Sequence, residues 1–158
     1  MQRFLMTPEG YEALQKELAH LKEVVRHQIV KDIEEAIAHG DLSENSEYED
    51  AKQRQSLCEG RIQDLSARVN LAEVIDITKI PPSDRVVFGV TVEIEDVETE
   101  ELMTYKIVGE LESDVKHGKI SVTSPIARAM IGKEVGDEVV VKTPRGNRRM
   151  AISDVRYK

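Results

Sequence analysis

HGDLSENSEYED, His39 to Asp50, separates two long helical patterns, and a stretch this short can only fold one helix back on the other. Gly40 closes the first pattern in the usual C-terminal role, with His39 near the negative end of that helix. At the turn, or just past it, stand five carboxylates: Asp41, Glu44, Glu47, Glu49 and Asp50. One stretch therefore sets the architecture, a hairpin of helices, and loads its end with acid.

Upstream of the turn the first helix starts cleanly. Thr7 suits the N-cap, Pro8 the first helical position, and Glu9 the positive end of the dipole. Met6 and Tyr11 occupy the places of a hydrophobic staple. The apolar stripe runs Leu14, Leu18, Leu21, Val25, Ile29, Ile33, Ala36. Downstream, Tyr48, Ala51, Gln55, Cys58, Ile62, Leu65, Val69 and Ala72 alternate steps of three and four, a sustained heptad pattern. The two stripes pair as an antiparallel hairpin. Leu14, Leu18, Leu21 and Val25 face Val69, Leu65, Ile62 and Cys58; Ile29, Ile33 and Ala36 then face Gln55, Ala51 and Tyr48 in a register one residue longer. The extra residue falls between Val25 and Ile33 and calls for a local unwinding. From Pro8 to His39 such a helix is about 48 Å long. A rod that buries one stripe per helix is a poor way to gain stability and a good way to reach. Within it Cys58 reads as buried filler, Gln55 as a register-setting polar residue, and His20 and His27 as solvated.

Composition narrows the class. The 158 residues are 40% apolar and 33% charged, with two Phe, four Tyr and no Trp, which suits helical pairing better than one large core. No apolar run is long enough to span a bilayer, and MQRFLMTPEG lacks the apolar stretch of a signal peptide. The single cysteine excludes an internal disulfide and points to a reducing, cytoplasmic setting. Net charge is −8, concentrated in residues 1–78, where nine Lys/Arg meet sixteen Asp/Glu. A chain this acidic is not built to hold DNA by neutralising phosphates.

After Ile77 the period changes, and Pro81-Pro82 marks a boundary between an arm, residues 1–78, and a second domain, residues 79–158. Strands are expected at Val90–Glu95, Met103–Ile107, Lys119–Thr123, Glu138–Thr143 and Arg148–Tyr157. Ser124-Pro125 starts a short helix through Met130. The fold class is α+β: an N-terminal antiparallel two-helix coiled coil, then a small antiparallel sheet with one short helix. The last stretch carries Lys142, Arg145, Arg148, Arg149, Arg156 and Lys158 against Asp154 alone. It reads either as a solvated hairpin or as a contact for an acidic surface or a phosphate backbone.

The turn has two compatible readings. Structurally, Asp41 is a good N-cap for the second helix and Asp41-Leu42-Ser43-Glu44 fits a capping box, with Ser43 the alternative cap. Chemically, Asp41 and Glu44 are three residues apart on a tight turn, so their oxygens can converge on one ion. Mg²⁺ takes one or two carboxylates and fills its shell with water or phosphate. Two acids are too few to hold it alone, but enough to complete a site whose other ligands belong to a partner.

GDLSENSEYEDAKQ, Gly40 to Gln53, with CEGRI at Cys58 to Ile62, resembles the tip and second helix of the bacterial transcript-cleavage factors, the Gre family. ISVTSPIARAMIGKEVGDEVVVKTP, Ile120 to Pro144, is similar to that family's C-terminal domain, which has an FKBP-like fold. The resemblance covers nearly the whole chain. It implies a transcription elongation factor, not itself an enzyme, that activates the endonuclease activity of RNA polymerase. The globular domain would dock at the mouth of the polymerase secondary channel, on the loop from Ser121 through Ser124 and Pro125 to Arg128. The coiled coil would carry Asp41 and Glu44 beside the polymerase's acids, where they share Mg²⁺, and the 3′ end of backtracked RNA is then cut. Tyr48, Lys52 and Arg54 match positions near that RNA end, although the place of Tyr48 on the seam suits packing equally. The family's basic patch along the arm is here limited to Lys52, Arg54 and Arg61. A monomer is expected, with no membrane partner. Two rivals stand beside this reading: a channel-binding paralogue that inhibits without cleavage, against which the intact GDLSEN tip argues, and a coiled-coil adaptor or chaperone with an FKBP-like domain.

Overall fold

The computed structural model describes residues 3–40 and 45–158. The chain divides into two compact units, Tyr11–Ala72 and Met1–Gly10 with Glu73–Lys158.

The helical unit is a hairpin. Its first limb is α1 (Pro8–His20), a π-helical segment at Leu21–Val25 and α2 (Arg26–Ala38); its second is α3 (Ser46–Asn70). The buried residues are Leu14, Ile29 and Ala36 on one limb and Ala51, Cys58, Ile62 and Leu65 on the other, so the stripes of the sequence are the seam. At mid-length Ile29, Cys58 and Ile62 form a small core, with Leu18, Leu21, Val25 and Ile33 packed around it. The register change is present but sits earlier than the pattern suggests. The Arg26 N–H donates to Leu21 O, a five-residue step that inserts one residue into the turn. Leu21, Val25, Ile29 and Ile33 follow at steps of four, which drift off a 3.6-residue face, and the wider turn at Leu21–Val25 brings them back to the seam.

The second unit is a five-stranded sheet in the order β5-β4-β3-β7-β6, from β3 (Thr91–Asp96), β4 (Leu102–Val108), β5 (Lys119–Ser121), β6 (Glu138–Thr143) and β7 (Gly146–Arg156). The expected antiparallel sheet is in fact mixed, because β4 and β5 run parallel. The chain between them crosses over through two 3-10 turns, Glu110–Glu112 and Val115–His117, instead of reversing in a hairpin. The short helix is there as read, α4 (Pro125–Met130), capped by Ser124. A core of Val86, Val90, Val92, Ile94, Ile107, Ile152, Ala127 and Met130, among others, lies on one face. A further pair of short strands, β1 (Phe4–Met6) and β2 (Ala72–Val74), forms a two-stranded sheet that the sequence does not announce.

Two polar knots shape this unit. Alternation along β3 turns Asp96 inward, where it is 2% exposed. Its carboxylate accepts the Glu98 and Thr99 N–H groups at 2.9 and 3.2 Å and the Arg148 guanidinium at 2.9 Å. Those bonds, Thr99's first, hold the Asp96 carboxyl below the usual carboxylate range. In the second knot Thr7 is the N-cap of α1 as expected, accepting the Gly10 N–H at 3.1 Å. The Glu112 carboxylate in turn accepts the Thr7 N–H at 3.1 Å, the Thr7 hydroxyl, and the Gly109 N–H at 2.9 Å. A Cβ at position 10 would collide with the Glu112 carboxyl and push it out of this position.

Three of the six basic residues of the C-terminal stretch are paired within their own unit. Arg148 faces Asp96, Arg149 faces Glu138 at 2.7 Å, and Arg156 faces Asp154 at 2.8 Å and Glu93 at 3.7 Å. That pattern favours the solvated-hairpin reading.

Candidate functional site

Asp41 and Glu44, with the rest of the proposed capping box, lie outside the described residues. The described frame on either side of them is well defined. α2 ends at Ala38; His39 and Gly40 close it with N–H bonds back to Glu35, Ala36 and Ile37 carbonyls. Gly40 has φ +103°, a conformation that a side chain would strain. α3 begins at Ser46, so neither Asp41 nor Ser43 is its N-cap; Asn45 is. Asn45 Oδ1 accepts the Tyr48 N–H at 3.0 Å, while Asn45 Nδ2 donates to the Ala36 carbonyl at 2.8 Å. One side chain thus satisfies an orphan amide of α3 and adds a second donor, beside the His39 N–H, to a carbonyl in the last turn of α2. A second tie joins His39 Nδ1 and Glu47 Oε2 at 3.2 Å across the turn. Sequence reasoning missed Asn45 because Asp41, Ser43 and Asn45 all cap well, and only the cross-helix bond chooses among them.

With the cap assigned to Asn45, Asp41 and Glu44 are not needed to start the helix. Among the described residues no three His, Cys, Asp or Glu side chains are grouped to hold a metal. The neighbouring candidates His39 and Glu47 bond to each other.

The other expected site residues divide by how committed they are. Tyr48 is half-buried, at the end of the seam. Lys52 is exposed and donates to Gln55 Oε1 at 3.1 Å. Arg54 bridges Asp32 at 3.0 Å and Asp50 at 3.1 Å, and Arg61 pairs with Glu17 at 3.1 Å. The Asp32 carboxyl is held below its ordinary value by hydrogen bonds from Gln28 and Arg54. Among the three basic candidates on this face, Lys52 alone has no carboxylate partner among the described residues. The arm is further tied by Arg26, whose guanidinium meets Glu59 in a two-point contact at 2.8 and 2.9 Å.

In the sheet unit, Ser121 and Ser124 are occupied locally. Ser121 Oγ bonds Thr123 Oγ1 at 2.7 Å, and Ser124 Oγ donates to Ser121 O at 2.7 Å while accepting the Ala127 N–H at 3.3 Å. These bonds shape the loop, and Pro125 and Arg128 stand exposed on it. The structure thus brings Tyr48, Lys52 and Arg54 onto one helix next to the turn, and Ser121, Ser124, Pro125 and Arg128 onto one loop and helix start.

Two family models match the chain: "Transcription elongation factor, N-terminal" over residues 4–74 and "Transcription elongation factor, GreA/GreB, C-term" over residues 81–157. The chain is 57% identical to transcription elongation factor GreA of Hyphomonas neptunium over 158 residues, covering 100% of both. It is 52% identical to transcription elongation factor GreA of Pseudomonas aeruginosa over 157 residues, 99% of each. A solved structure, GreA factor homolog 1 of Thermus thermophilus, aligns at 27% identity over 98% of this chain and 99% of that one, with a TM-score of 0.45.

Proposed function

The chain belongs to the GreA/GreB family of transcription elongation factors, and from that premise we propose that its hairpin enters the RNA polymerase secondary channel and stimulates the polymerase's cleavage of backtracked RNA. The observation that carries the reading is an acidic turn at the end of a two-helix arm, slung between helix ends that one side chain fastens together. That is the form of a part-site delivered to a partner.

In this reading the domains of residues 1–78 and 79–158 divide reach from docking. The sheet domain, taken as FKBP-like, binds at the channel mouth through Pro125 and Arg128, with Ser121 and Ser124 holding the loop in shape. Asp41 and Glu44 contribute carboxylate oxygens to a Mg²⁺ that the polymerase's acids hold weakly. That ion, when bound, supplies an activated water and charge neutralisation for phosphodiester hydrolysis. Tyr48 and Lys52 lie against the RNA 3′ end, and Arg54 does so only if it leaves its carboxylates. The protein is an activator and not an enzyme, because two carboxylates cannot build a hydrolytic centre. It works as a cytoplasmic monomer.

The test is a stalled, backtracked elongation complex incubated with the protein and Mg²⁺ and assayed for shortened RNA. Cleavage requires both polymerase and protein. RNA hydrolysis by the protein without polymerase, or an unchanged transcript with it, overturns the reading.

A further inference from the structure

We infer that Asn45 is a positioning residue of the tip: its side chain fixes the spacing of the two helix ends between which the acidic turn hangs. The inference rests on the tip reading above. The first amides of α3 lack partners within their own helix, whereas the Ala36 carbonyl of α2 already accepts the His39 N–H, so a bond to it from α3 serves to join the limbs. An ordinary N-cap serves only its own helix. Asn45 does both at once, accepting from Tyr48 N–H at 3.0 Å and donating to Ala36 O at 2.8 Å. Ala36 and Ala51 are 1% and 0% exposed, so the seam is closed up to the carbonyl that the amide holds. His39–Glu47, the other tie, joins exposed side chains that solvent loosens. A part-shell of two carboxylates works only at a set place, and a misplacement of about 1 Å can cost roughly a hundredfold in rate.

Asn45→Ser isolates the cross-helix bond. Serine caps about as well as asparagine, so the Tyr48 N–H keeps its acceptor, but the shorter hydroxyl cannot also hold the Ala36 carbonyl. The full-length protein is spin-labelled at cysteines replacing the exposed Glu35 and Glu49, in a common Cys58→Ala background. We expect the label–label distance distribution to broaden in Asn45→Ser while the melting temperature and polymerase binding stay at the parent values. The cleavage rate falls about tenfold or more, and half-maximal cleavage moves to higher Mg²⁺. An unbroadened distribution overturns the inference, and so does parental cleavage in a protein whose distribution has broadened. A parent that stimulates no cleavage sinks the tip reading and with it the functional half of this one, and the label distances still report whether Asn45 sets the spacing.

Discussion

The helical unit and the sheet unit are stabilised by different means. The sheet unit gathers fourteen buried residues into one cluster, whereas the arm strings its buried residues along a seam, with a cluster of three at mid-length. The arm adds polar contacts between its limbs: Arg26–Glu59, Arg54–Asp32, Arg61–Glu17 and the Asn45 amide.

The largest expected effect tests the packing half of that contrast. Ile107 is fully buried between neighbouring strands, and Ile107→Ala should cost about 2–5 kcal/mol in urea unfolding. Ile62 is also buried, but in a two-helix seam that can close around a smaller side chain, so Ile62→Ala should fall at the low end of that range. Leu57→Ala should stay within about 0.5 kcal/mol of the parent. If Ile62→Ala proves as damaging as Ile107→Ala, the arm is not the looser unit.

The next effect tests the functional half. Asp41→Asn and Glu44→Gln keep size and remove a charged ligand each. Since Asn45 caps α3, neither change removes that cap, and the melting temperature should not move. Cleavage stimulated in a backtracked complex should drop about a hundredfold, equivalent to about 2.7 kcal/mol of transition-state stabilisation. Polymerase binding should hold, and added Mg²⁺ should restore part of the rate by mass action. Variants that cleave like the parent across the Mg²⁺ range would leave both acids without a role in the chemistry.

Legibility in the sequence followed the same division. The arm could be read in detail because its information is periodic: every residue placed on the stripes is buried or half-buried. Even the register shift could be foreseen, although its place at Leu21–Val25 could not, since any turn nearby could absorb one residue. Strand positions were legible from alternation, but the direction of β5 was not, because pairing partners are set by the path between strands and not by the strands themselves. The knot of Glu112 with Thr7 joins residues far apart in the chain, and no local pattern marks it. At the tip, the motif and its acids stood out, whereas Asn45 was hidden among three residues of equal capping ability.

The smallest effects are electrostatic, and acid and salt together should separate the two units. Asp96 and Glu59 both titrate below the ordinary carboxylate value, Asp96 chiefly through the Thr99 N–H and Glu59 chiefly through Arg26. A depressed carboxyl contributes stability that is complete above its unfolded pKa, near 4, and is lost as pH falls through the lower folded value. Both contributions should therefore be present at pH 7 and fade below about pH 4. Salt should distinguish them. The Asp96 side chain is 3% exposed, and its bonds to Glu98 and Thr99 are short-range and shielded from ions. Glu59 is 42% exposed opposite Arg26 at 39%, within reach of counterions that screen over about 3 Å at 1 M salt. Asn at position 96 can keep the two backbone bonds through Oδ1, but it turns an amide donor toward the Arg148 guanidinium. Asp96→Asn should therefore lower the melting temperature at pH 7 equally in low and high salt, and the deficit should shrink in acid as the parent's own carboxyl protonates. Glu59→Gln should lower it slightly in low salt and not at all in 1 M NaCl. An Asp96 deficit that salt abolishes would mean that the carboxylate is solvated after all, and the contrast between a buried charge in the sheet unit and screened charges on the arm would fail.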